Sequence, residues 1–196
     1  VFNISANIDY SVSGLTYDAN GNLKTMTQKG LILNASPTID QFTYNYKNTE
    51  YSNKLAKVTD SAAAASSGKL GDFKDGNVGA TDDYSYDVNG NLTADLNKGI
   101  SAISYNYLNL PQTITVTGKG TITYTYDAAG TKLKKVTVEN PSAANGNKTI
   151  TTTTTYVGAF VYESKTMSPA DPNNPNYTDK LLFAGQEEGR IRTLFN

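Results

Sequence analysis

The chain of 196 residues contains no cysteine and no histidine. Without Cys there is no disulfide, no thiolate nucleophile and no Cys zinc site. Without His the commonest general base and transition-metal ligand is missing too. The lack of Cys suits an oxidising exterior as well as a cytosol, so it does not fix the compartment. No excess of charge of one sign is present: 17 basic and 18 acidic side chains leave a formal charge of −1. That balance argues against a nucleic-acid or anionic-membrane partner, which wants a basic excess. No apolar run reaches roughly eighteen residues, so no membrane span is expected. The sequence opens Val-Phe-Asn-Ile, without an initiator Met, a basic n-region or a signal-like segment. It reads as the middle of something longer, or as a matured piece.

What is abundant is Tyr (14), Gly (16) and many Thr and Asn. Aromatic and β-branched residues suit a pleated sheet, and Gly and Asn suit its turns. The expected fold class is all-β, built of antiparallel β-hairpins. One phrase recurs: YDANGN at Tyr17–Asn22, YDVNGN at Tyr86–Asn91 and YDAAGT at Tyr126–Thr131. On a hairpin connection the Asp accepts a hydrogen bond from the backbone two residues on. The Gly then takes the left-handed position of a bulge at little steric cost. Asp18, Gly21, Asp87, Gly90, Asp127 and Gly130 are therefore expected at structural turns. Alternating apolar or aromatic residues lead into each turn, as hairpin strands require.

A calcium loop is the rival reading, because Asp18, Asn20 and Asn22 alternate as ligands would. An EF-hand loop needs Gly at its sixth position and a bidentate Glu at its twelfth. Gly21 is instead fourth, and the twelfth positions of the three copies are Lys29, Lys98 and Val138. No metal site and no cofactor is expected.

Between the first two copies lies a degenerate extra unit, Phe42–Tyr46 followed by Lys54–Val58. An Ala/Ser/Gly-rich tract, 61–79, reads as a flexible excursion. The third copy has one more residue before its Leu, which puts Val136 and Val138, rather than Leu133, on the face that Leu23 uses. Tyr44/Tyr46, Tyr84/Tyr86, Tyr105/Tyr107 and Tyr124/Tyr126 are spaced i, i+2, so each pair is expected on one face, packing across strands. Tyr44, Tyr46, Tyr105 and Tyr107 are the candidates for stacking against a ligand such as a glycan.

From Tyr84 to Val138 the sequence runs YSYDVNGNLTADLNKGISAISYNYLNLPQTITVTGKGTITYTYDAAGTKLKKVTV. Its Tyr-Asp, Gly-Asn-Leu, Ile-x-Tyr-Asn-x-Leu-Asn-Leu-Pro and Tyr-x-Tyr-Asp-x-x-Gly-x-Lys-Leu phrases resemble the Rhs, or YD-repeat, family. YVGAFVYESK (Tyr156–Lys165) and LLFAGQEEGRIR (Leu181–Arg192) look like the stretch that closes repeat regions in Bacteroidetes-type members. The resemblance covers most of residues 15–30 and 84–192. It implies successive hairpins winding into a curved sheet and, in long members, a shell around a variable, often toxic, C-terminal cargo. Related teneurins use such a shell as an adhesion scaffold, and toxin-complex shells are more distantly similar. A secreted or bacterial cell-surface location is implied by the same resemblance. The chain departs from the family in lacking the Asp-Pro-x-Gly autocleavage signature and in being shorter than a closed shell requires. It is therefore expected to be one array over 1–196, part of a wall.

Other chemistry is sparse. There is no Gly-x-Ser-x-Gly, and without His the usual triad cannot be assembled. Asp60-Ser61-Ala62 echoes an aspartic-protease triplet without its Gly, and it makes Ser61 a candidate O-glycan acceptor. Glu187-Glu188 reads as a charged turn, and Lys132, Lys134 and Lys135 as a solvated strand end. Gly185 and Gly189 lack the Lys-Ser/Thr of a phosphate loop. The Pro/Asn-rich segment 167–178 cannot continue a ladder and is expected to project as a loop.

A lone hairpin is marginal, so neighbouring repeats of the parent chain, or another chain, should cover open strand edges. Thr149–Tyr156 (TITTTTTY) is the expected edge. The leading expectation is a non-enzymatic structural segment. The alternative is a carbohydrate- or receptor-binding adhesion module. A third is a cargo or client of secretion machinery, held by its open edge.

Overall fold

A computed structural model describes residues 9–31, 35–48, 52–62, 71–79 and 82–192. The architecture is all-β and antiparallel, with two single-turn 3-10 segments and fourteen strands among the described residues. The chain divides into two compact units, Val1–Lys98 and Gly99–Asn196.

In the first unit β1 (Val12–Tyr17), β2 (Leu23–Lys29), β3 (Thr38–Tyr46) and β4 (Leu55–Asp60) form a sheet in sequence order. The hairpin of β5 (Tyr84–Tyr86) and β6 (Leu92–Asp95) follows, with Asp83 N–H donating to the Ala56 carbonyl at 2.8 Å. Alternation buries Phe42 on one face of β3 and Ala56 and Val58 on one face of β4, and Ile39, out of phase with Phe42, is buried as well. Of the 61–79 excursion, 63–70 lie outside the described residues. The stretch 71–79 is not a free tether: Phe73 meets Phe42 edge-on, 5.4 Å between ring centroids, and its N–H donates to Asp40 Oδ1. An aromatic residue amid small ones anchors it, a local exception that the average composition of the tract conceals.

The second unit is a meander of β7 (Ile100–Tyr105), β8 (Pro111–Val116), β9 (Gly120–Tyr126), β10 (Lys132–Glu139), β11 (Thr149–Val157), β12 (Phe160–Ser168), β13 (Tyr177–Gln186) and β14 (Gly189–Ile191). Each strand pairs with the next. Thr149–Tyr156 is not an edge. It lies in β11, paired with β10 on one side and β12 on the other. High β-propensity and absent charge mark a strand, but they do not say whether a neighbour follows on each side. The 167–178 segment begins and ends inside strands, leaving 169–176 as the loop between β12 and β13. That loop is tied down by the Lys148–Asp171 ion pair at 2.6 Å. Among the described residues no helix is long and apolar enough to cross a membrane.

Candidate functional site

The repeated phrase is a turn in all three copies. Gly21, Gly90 and Gly130 adopt φ of 82°, 88° and 89°, the region that penalises a Cβ. Each glycine N–H donates to the carbonyl of its Asp, at 3.1 Å in every case. The Asp carboxylates close the loop: Asp18 Oδ1 accepts from the N–H of Asn20 and Asn22, and Asp127 Oδ1 from those of Ala129 and Thr131. Asp87 accepts from the backbone and side chain of Asn91. Its carboxyl is held below the ordinary 3.8, first by the Asn91 side chain and then by backbone N–H groups. Asp127 is lowered chiefly by the Thr131 N–H. At Asp18 desolvation is the largest influence and opposes the shift, but Asn22 still brings the carboxyl down. The carboxylates are thus filled by their own loop.

A fourth turn of the same build escapes the Tyr-Asp-x-x-Gly pattern. Asn106 Oδ1 accepts from Leu108 and Leu110 N–H, Asn109 N–H donates to the Asn106 carbonyl, and Asn109 sits at φ 57°. Asn replaces both Asp and Gly, since its amide oxygen serves as acceptor and its backbone tolerates the left-handed region. The signal was Asn-x-x-Asn between two strand-like runs.

A second regularity is a tyrosine that closes a strand. Tyr46 closes β3 and its hydroxyl donates to the carbonyl of Leu23, the first residue of β2, at 2.9 Å. Tyr86 closes β5 and donates to Leu55, the first residue of β4, at 2.9 Å. Tyr126 closes β9 and donates to Pro111, the first residue of β8, at 3.0 Å. Each ring clamps its strand to the opening of the strand before it, and burial pushes all three hydroxyls above their ordinary range. Tyr44 and Tyr46 are half-buried, as are the 84/86 and 124/126 pairs. The 105/107 pair does not share a strand face. Tyr105 ends β7 while Tyr107 lies in the turn, 76% exposed, its hydroxyl donating to the Ala128 carbonyl at 3.0 Å. The β7 strand stops one residue before Asn106, so spacing by two loses its meaning there. In the third copy Lys132 occupies the place opposite Tyr126 that Leu23 holds opposite Tyr17. Its ammonium stands 4.7 Å from the Tyr124 ring centroid, a cation–π contact.

Two carboxylate groupings went unseen in the sequence. Asp40, Asp60 and Asp72 bring carboxylate oxygens within 4.8 Å of one another. Asp60 Oδ1 already accepts from Gln41 and Ala62 N–H, and Lys57 and Lys74 line the adjoining open cleft. Asp83 is fully buried and accepts from Val58 N–H and from the side-chain amides of Asn77 and Asn97. It ties β4, the 3-10 segment Leu96–Lys98 after β6, and the 71–79 stretch together. Ser61 is exposed, with its hydroxyl donating to the Gln41 carbonyl at 3.2 Å.

No family model matches the chain, and no curated protein matches it.

Proposed function

We propose that the chain is a non-enzymatic structural segment of an Rhs/YD-repeat protein, part of a β-shell that encapsulates or displays a variable C-terminal cargo, secreted or at the bacterial cell surface. What supports this reading is the recurrence of two devices, a self-satisfied turn at Asp18, Asp87, Asn106 and Asp127 and a tyrosine clamp at Tyr46, Tyr86 and Tyr126, which fall together at Tyr86–Asp87 and Tyr126–Asp127. Such units transmit order from neighbour to neighbour, which is how a repeat array becomes a wall. The aspartates spend their lone pairs on turn N–H groups, and the sequence offers no histidine or cysteine for catalysis. The DNA flanking this segment tests the reading. Many further Tyr-Asp repeats followed by a variable tail, with that tail protected from protease in the full-length product, are expected. Flanking sequence without repeats would overturn it.

A carbohydrate- or receptor-binding role is favoured by one observation. Tyr107 is exposed but held by its hydroxyl, beside an open groove of about 370 Å³ lined by Gln112, Tyr124 and Asp127. A rigid aromatic face with polar neighbours is what a sugar ring stacks on. A glycan array read with the native chain and with Tyr107→Ala separates the two readings.

A further inference from the structure

Asparagine stands directly before glycine three times, at Asn20–Gly21, Asn89–Gly90 and Asn145–Gly146. Asn is a thermolabile residue, and a following glycine has no side chain to hinder attack by its own nitrogen on the amide carbon. The first two pairs stand at the tips of Tyr-Asp turns, where Asn20 and Asn89 are exposed. In the third Tyr-Asp turn the corresponding residue is Ala129, which has no amide to lose. Asn145 has a different setting. Its Oδ1 accepts from the N–H groups of Ser142 at 2.9 Å and Lys148 at 3.2 Å, and its Nδ2 donates to the Asn140 carbonyl at 2.8 Å. Held from both sides, this carboxamide cannot swing toward Gly146 without losing those bonds.

We propose that Asn20 and Asn89 are sites of spontaneous hydrolytic deamidation in the folded chain, and that Asn145 is shielded from it. At Asn89 the Gly90 nitrogen leaves its hydrogen bond to the Asp87 carbonyl, gives its proton to water and bonds to Asn89 Cγ. The Cγ–Nδ2 bond breaks, and the amide nitrogen takes a proton from water and departs as ammonia, leaving a cyclic imide. A water molecule then adds to one of the two imide carbonyls and opens the ring to aspartate or isoaspartate. Water is the only reagent consumed. The turn has to open for the attack, but the strand ladder on either side does not, so the motion is local. Either product sets a new carboxylate in the same turn as Asp87. Isoaspartate also takes Cβ into the main chain, which enlarges the ring closed by the Gly90 N–H and the Asp87 carbonyl. Both changes loosen β5–β6, and the same chemistry at Asn20 loosens β1–β2.

The modification is independent of the repeat reading, and peptide mapping of the full chain tests it. The chain is aged in mildly alkaline buffer made with heavy-oxygen water, once folded and once in urea, and amide-to-acid conversion is followed at each Asn-Gly pair. In urea all three pairs should convert at similar rates. In the folded chain Asn20 and Asn89 should convert, with Asn145 roughly thirtyfold slower because three hydrogen bonds must break first. Amides retained at Asn20 or Asn89 in the folded chain while they are lost in urea would overturn the proposal. So would Asn145 keeping pace with them in the folded chain. The loosening has its own control in Asn89→Ala, which copies the Ala129 turn. Hydrogen exchange in β5–β6 should quicken with age in the native chain and stay constant in that variant; equal ageing of the two would overturn the link between deamidation and the turn.

Discussion

The two units solve the same problem by different means. In the first, β3 and β4 bury Ile39, Phe42, Ala56 and Val58, and three aspartates, Asp40, Asp83 and Asp95, go inside with them. In the second, the buried large side chains among the described residues are Val161 and Met167, and β11 is half-exposed along almost its whole length. There the main-chain ladder carries the stability: β11 keeps an unbroken register with β12 from Thr149↔Ser168 to Val157↔Phe160. A unit held by a core should fail through its buried groups, and one held by a ladder should fail where two backbones approach closely.

The largest effect is expected in the ladder. Gly120 sits at φ 138°, and a Cβ there would lie 1.8 Å from the Val138 carbonyl oxygen, which is backbone and cannot swing aside. Gly120→Ala should part β9 from β10 and cost about 4 kcal/mol. Amide hydrogen exchange should show protection lost across β9–β11 with β2–β4 retained. Equal loss in both units would dissolve the distinction.

Next comes the buried carboxylate of the first unit. Asp83→Ala leaves the Val58 N–H and the amides of Asn77 and Asn97 without their acceptor, a loss of about 3 kcal/mol. Its exchange signature should be the reverse, confined to β4–β6 and 71–79. Denaturant midpoints of the alanine and asparagine variants check the cause, since Asn keeps one acceptor and should recover part of the loss.

At the turns the units are alike, and a substitution there tests the likeness. Gly90→Val forces a β-branched residue into φ 88° and should cost about 1–2 kcal/mol. Gly130→Val should cost more in the second unit, because a Cβ at Gly130 also meets Leu110 Cδ1 at 3.1 Å, whereas at Gly90 it meets the flexible end of Lys54 at 3.5 Å. Equal melting shifts for the two variants would remove that asymmetry.

These turns were also what the sequence displayed best. Asp, Gly and the strand periodicity are local signals, so the three Tyr-Asp turns and the all-β class could be read directly. The Asn106 turn hid behind a change of residue type that conserves the acceptor. The acidic trio and the Asp83 hub were invisible for a different reason: Asp40 and Asp60 meet only through β3–β4 pairing, and Asp72 only when the excursion returns on Phe73. Edge position is non-local in the same sense. TITTTTTY looks identical whether β12 follows or not, and only the count of strands around it decides.

The smallest expected effect separates the units by acid. Asp9, Asp18 and Asp87 in the first unit have lowered carboxyls, Asp9 at about 2 beside Lys29, against Asp127 and Asp171 in the second. A depressed carboxyl stabilises the fold above its unfolded value and loses that contribution as pH falls through the folded one. The window is therefore from about 4 down to about 2, and the first unit should weaken more steeply across it. All five carboxylates are solvent-accessible, so screening by salt should shrink the slope. Asp87→Asn cannot titrate, and its acid limb should be shallower than that of the native chain. Hydrogen exchange of β5–β6 at about pH 5 and about pH 2.5 reads this directly; an unaltered slope in that variant would mean the Asn91 contacts, not the charge, set the turn's stability.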